Sequence, residues 1–141
     1  MDEQRWDELC SRLGVSPPAS AYAELISAYS ARRRHYHTVE HIDECLALFD
    51  RVAERVGNPD VLECVIWVHD VVYSSRAGDN EEQSADLACR WLLEGGASPE
   101  VSERVRALIM LTKHASPVTD PDGQFLTDID LHILGADPGR F

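Results

Sequence analysis

The residues of this chain best suited to chemistry are polar groups set among apolar ones. His69 and Asp70 stand in the run DVLECVIWVHDVVY, flanked by Val65, Ile66, Val68, Val71 and Val72. An aspartate is almost never fully buried unless it is paired or ligates a metal, because isolated burial costs several kcal/mol. The cation that meets Asp70 is therefore either an arginine or a metal ion with His69 as a second ligand. Asp130 repeats the anomaly: at helical spacing Leu126 lies one turn behind it and Ile133 and Leu134 one turn ahead. Asp128 and His132 share the adjoining polar face, which suits solvent as well as a site. The third feature is HYHTVEH, residues 35–41, with three histidines in seven residues. His41 falls in the first turn of a helix, with Cys45 and Leu48 above it, and His37 precedes that helix in a connector.

Two histidines and two core acids from three separate segments point to a divalent metal. Mixed imidazole and carboxylate ligation suits a first-row transition metal and disfavours Ca²⁺, which prefers oxygen alone. Spacing does not close the case. Neighbours on an α-helix diverge by about 100°, so His69 and Asp70 share an ion only if it lies between their directions.

The elements that must position these groups read as helices almost throughout. Asp2 to Leu13 places Trp6, Leu9, Cys10 and Leu13 on one stripe and stops at Gly14. Ser16-Pro17 reads as a cap and first helical position for a helix through Tyr29. After the polar connector 32–37, Thr38 caps a long helix with the stripe Ile42, Leu46, Phe49, Ala53 and Val56. Asp60 opens a helix that is apolar nearly all round and belongs at the centre, with His69 and Asp70 inside it. Asn80 with Gln83 reads as a capping box for the next helix, which Gly95-Gly96 ends. Ser98-Pro99 starts another, running to about His114, and QFLTDIDLHILG forms the last. Nothing alternates with a period of two, so the expected fold is all-α, a bundle of about seven helices in one domain over residues 1–141.

Bulk properties narrow the partners. Thirteen basic against twenty-five acidic residues give a net charge of −12, which repels nucleic-acid polymers and anionic lipid surfaces. A small phosphate is repelled too, unless a metal or a local basic patch reverses the field. One patch, Arg32, Arg33 and Arg34, stands just before the histidine cluster, so Arg33 and Arg34 are candidates to hold a substrate phosphate. No apolar run approaches the ~18 residues of a membrane span, and the acidic start MDEQRWDEL is unlike a secretory leader. Cys10, Cys45, Cys64 and Cys89 form no paired motif and read as buried thiols, which fits a reducing, cytoplasmic setting.

The order RHYHTVEHI, WVHDVVY, NEEQSA, LTKH and DIDLHILG resembles the metal-dependent phosphohydrolases of the HD superfamily, over roughly Tyr29 to Asp137. The resemblance implies an HD-type helical bundle whose metal is held by His41, by the pair His69 and Asp70, and by Asp130. YHTVEHIDEC is similar to the His-Asn-x-x-His segment of cyclic-nucleotide phosphodiesterases, which makes His41 a ligand and His37 a general acid, although position 38 is Thr here. His37 and Asp70 would thus work at the reacting atoms. Lys113 and His114 would contact a phosphate or a second metal, and Glu81 and Asp128 would support the ligands from behind. The cofactor implied is one or two divalent transition metals (Mn, Fe, Co, Ni or Zn, with Mg as an alternative).

The implied activity is hydrolysis of a small phosphorylated substrate, such as a nucleotide, by metal-activated water. A non-catalytic metal and nucleotide sensor, and an HD-type di-iron oxygenase using His114, are the rival readings. Relatives of this kind continue through further helices after the last motif, so a truncated form or a homodimer is expected, with part of the Phe125, Ile129 and Ile133 stripe exposed.

Overall fold

A computed structural model describes residues 1–31, 38–73 and 78–135, and only the backbone of 133–135. Among these residues the chain is all-α: α1 Glu3–Leu13, α2 Ala21–Tyr29, α3 Val39–Val52, α4 Pro59–Val68, α5 Asn80–Glu94, α6 Pro99–Leu111 and α7 Pro121–Gly135. A short 3₁₀ turn, Ala53–Arg55, finishes α3. No helix of the described residues is long and apolar enough to cross a membrane.

Local signals account for most of the ends. Asp2 caps α1 by accepting from the Gln4 N–H, and Gly14, at φ 72°, closes it in the left-handed conformation that costs glycine least. Thr38, Asn58 and Ser98 cap α3, α4 and α6 through their side chains, with Pro59 and Pro99 in the first turns behind them. Gly95 has a steric reason as well, since a Cβ there would meet the Ser16 backbone at 2.8 Å.

α4 sits at the centre, buried from Val61 to Val68. α1, α3, α5, α6 and α7 all pack against it, α5 pairs with α6, and α7 also closes against α3 and α6. The one acid in that span, Glu63, is buried, and the charges around it join α1 to α4. Arg5 Nε donates to it at 3.1 Å, Arg12 at 3.2 Å and the Trp67 indole at 3.2 Å. Asp122, at the start of α7, accepts from the Gly57 and Asn58 N–H groups at 2.8 and 2.9 Å, tying α7 to the turn that launches α4.

Several ends differ from the sequence reading. α2 begins at Ala21 after Ser20, not at Pro17, because the residue before a proline is pushed out of the helical region and Pro17 precedes Pro18. Asp79 rather than Asn80 precedes α5, and Gln83 reaches back to its carboxylate at 3.0 Å. α6 stops at Leu111, three residues before His114, and α7 starts earlier, at Pro121. The apolar stripe of α7 is largely covered. Ile129 is buried, Phe125 is half-buried with the Arg55 guanidinium 5.4 Å from its ring centre, and the Ile133 side chain lies outside the described residues. All four cysteines are free and buried.

Candidate metal centre

The most consequential difference is where α4 ends. His69 is its C-cap and Asp70 lies beyond it, so the pair is not inside the helix as the sequence reading has it. In a continued helix the Ile66 carbonyl would accept from the Asp70 N–H and the Trp67 carbonyl from the Val71 N–H. Both acceptors are engaged differently. His69 Nδ1 donates to Ile66 O at 2.9 Å, and the Tyr29 hydroxyl donates to Trp67 O at 2.7 Å. Val71 N–H turns to Val68 O at 3.2 Å instead. The next residue is clamped by Ser84 of α5, whose hydroxyl accepts from Val72 N–H at 3.0 Å and donates to Val72 O at 3.2 Å. The turn so formed brings both members of the pair to one side: His69 Nε2 lies 2.9 Å from Asp70 Oδ2.

Two other helices complete the group. His41, in the first turn of α3, is buried with its Nε2 3.1 Å from Asp130 Oδ1 of α7. Asp130 is also buried, and its Oδ1 lies 3.5 Å from His69 Nε2. Asp70 is partly exposed, its side chain 16% accessible, and forms the open edge. One ligand atom from each of His41, His69, Asp70 and Asp130 falls within 4.8 Å of the others, so these four could hold a metal ion. Atoms bound to a single ion at about 2.0–2.2 Å lie no more than about 4.4 Å apart, so the group needs only a small contraction.

His69 supplies the test of fit. Its Nδ1 proton is committed to Ile66 O, which leaves the lone pair of the neutral ring on Nε2. That nitrogen is buried and, despite its distances to two carboxylates, has no hydrogen-bond partner. A lone pair facing two carboxylate oxygens is three acceptors converging, which only a proton or a cation relieves. A backbone carbonyl fixing the far nitrogen is the usual support of a metal-ligating histidine. Without an ion the cluster holds protons instead. Burial pulls the His69 pKa down, but Asp70 and Asp130 outweigh it and hold the ring well above its ordinary value. Burial likewise opposes the Asp130 charge, yet bonds from His114 and His41 and the nearness of the His69 ring hold its carboxyl far below the usual range.

The remaining candidates fall in different places. His114 is outside the group of four but touches it, its Nε2 2.8 Å from Asp130 Oδ2. Lys113 is turned to the surface, where Nζ pairs with Glu82 Oε1 at 2.6 Å, and does not approach the group. Asp128 does not stand behind the ligands. It is exposed, because two residues along a helix turn it about 200° from Asp130. Glu81 is half-buried in the first turn of α5. His37, Arg33 and Arg34 lie outside the described residues.

Three further side chains support the group, of which Tyr29 alone escapes the sequence reading. Ser84, noted there only as part of NEEQSA, fixes the turn after Asp70. Tyr29 helps to end α4. Cys45 rests its sulfur 3.7 Å from His41 Nε2, one helical turn on. The i, i+4 spacing from His41 puts it there, as the sequence reading has it. Comparison of the chain with known families, with characterised proteins and with solved structures finds no match.

Proposed function

We propose that this chain is a metal-dependent phosphohydrolase of the HD type, acting on a phosphate ester of a small molecule such as a nucleotide. The observation that carries the reading is the buried His69 Nε2, oriented by Ile66 O and facing Asp70 and Asp130 with no hydrogen-bond partner. His41, His69, Asp70 and Asp130 would hold the ion. A divalent ion there supplies a Lewis acid that offsets phosphate charge and makes a nearby water more acidic.

The protein's own residues do the rest. Ile66 O keeps His69 in one tautomer. Ser84 and Tyr29 hold the turn that presents Asp70 at the open edge, where a substrate would approach. An open groove of about 420 Å³, bordered by His114, Ser116, Gln124, Thr127, Asp128 and Leu131, adjoins the group through His114 and offers room for an organic moiety. Among the described residues its lining carries no lysine or arginine. The phosphate would therefore rely on the metal group and on Arg33 and Arg34. His37, four residues ahead of His41, is the proposed proton donor to the leaving oxygen.

The test is elemental content of the purified protein, followed by turnover of a panel of phosphorylated small molecules before and after chelation. We expect chelation to abolish turnover and a divalent ion to restore it. His37→Asn should keep the metal and lose about 10²–10⁴ in rate, less for a nitrophenyl ester whose leaving group needs no proton. Metal binding without turnover of any ester would make the chain a sensor and overturn the catalytic reading.

A further inference from the structure

Among the described residues, His114 is the only one other than glycine with a positive φ, at 54°. A left-handed backbone is disfavoured for a residue with a Cβ and persists where the surroundings hold it, often at functional positions. What holds it here is visible. The chain leaves α6 through Thr112, His114 N–H reaches back to Leu111 O at 3.1 Å, and the left-handed step turns the ring inward to Asp130. The two oxygens of Asp130 thus have separate partners: Oδ1 faces His41 and His69, and Oδ2 receives His114 Nε2 at 2.8 Å. His114 is also excluded from the four ligand atoms that lie within 4.8 Å of one another.

We propose that His114 is a positioning residue: its Nε2–H donates to the outer oxygen of Asp130, so that only Oδ1 is presented to the ion and the group is built for a single metal. This rests on the metal reading above. A buried carboxylate without that bond can rotate about its terminal torsion, which is broad for aspartate, and offer either oxygen or both. A histidine that donates through Nε2 cannot use the same nitrogen to bind metal. It acts through Asp130.

The test is a Co²⁺ titration of chelator-stripped wild-type protein, His114→Gly and His114→Gln, with circular dichroism to verify folding. Glycine accepts the left-handed backbone without its strain but removes the donor. Glutamine keeps an amide donor long enough to reach Asp130, and serves as the second variant if the glycine protein does not fold. We expect one Co²⁺ per wild-type chain, with a visible spectrum that His114→Gln retains. Affinity should fall about 10–100-fold in His114→Gly, the usual effect of removing a partner that orients a ligand, and recover in part in His114→Gln. Two ions per wild-type chain would make His114 a ligand and overturn the proposal. Equal affinity in wild type and His114→Gly would do the same while leaving the metal reading intact. A wild-type protein that takes no Co²⁺ overturns both.

Discussion

At the scale of single residues, the cluster shows how two acids a short step apart acquire different chemistry. Asp128 and Asp130 differ by about 200° around α7, which is enough to put one in solvent and the other beside three imidazoles. That division is legible in the sequence, because Leu126 one turn behind Asp130 belongs to the core. The His114 contact is not legible. It depends on a left-handed residue and a connector that returns across sixteen positions, and neither leaves a periodic trace. We expect Asp130→Ala to lose bound metal and Asp128→Ala to keep it. Metal content of the two purified variants, measured side by side, checks this; the reverse pattern would mean that the ion is held elsewhere on α7. Asp130→Ala should also lower the melting temperature of the metal-free protein, since it leaves His41 and His69 buried without their shared carboxylate.

At the scale of elements, the helix interiors were readable and several ends were not. The stripes Trp6, Leu9, Cys10 and Ile42, Leu46, Phe49 are buried as the 3.6-residue period requires. Caps written in local chemistry, Thr38 and Ser98, stand where the sequence suggests. The end of α4 has one local cause, the His69 ring on the carbonyl three residues back, and two that come from other helices. VHDVV would continue a helix on its own, and it stops because Tyr29 and the His69 ring bond the Trp67 and Ile66 carbonyls while Ser84 claims Val72 from a different helix. That is tertiary control of a boundary, beyond the reach of any single-segment reading, and it produces the His69–Asp70 convergence. Tyr29→Phe isolates the effect, because it removes one hydroxyl and leaves the ring. The Trp67 carbonyl then loses a buried donor, which costs about 1–3 kcal/mol. Urea denaturation of the metal-free protein should register that loss. A metal titration should show weaker binding, since the turn that aims Asp70 is less firmly held. Unchanged stability and affinity would show that Ser84 alone fixes the turn.

At the scale of the whole molecule, a net charge of −12 surrounds a core group that itself holds two close carboxylates. Asp70 and Asp130 share one small volume with His41, His69 and His114, and what neutralises them decides how stability depends on pH. In the metal-free protein the neutralising charge is protons on His69 and His114. The bond to Asp130 holds the His114 pKa above its ordinary 6.5, against the pull of burial. For His69 burial is the larger single influence, but the two carboxylates together exceed it. A group whose pKa is raised on folding contributes stability that is full below the unfolded value and is lost as pH climbs through the folded one. Asp130, held low, contributes in the opposite sense: its share is present above about 3.8 and is lost only as pH falls well below that. The metal-free protein should therefore melt highest between about pH 4 and pH 6.5, and its melting temperature should decline from pH 6.5 to pH 9. A bound divalent ion reverses the second slope. It needs neutral imidazoles, so protons compete with it, and affinity rises as the pH passes the histidine range. With Mn²⁺ in fixed excess the melting temperature should rise between pH 5 and pH 8, so that the metal-free and metal-loaded curves converge in acid and separate in base. Thermal melts of chelated and Mn²⁺-loaded protein across that range decide the matter. Parallel curves would mean that Mn²⁺ binds away from these histidines, and a metal-free protein whose stability holds steady above pH 6.5 would mean that the carboxylates are neutralised by something other than imidazole protons.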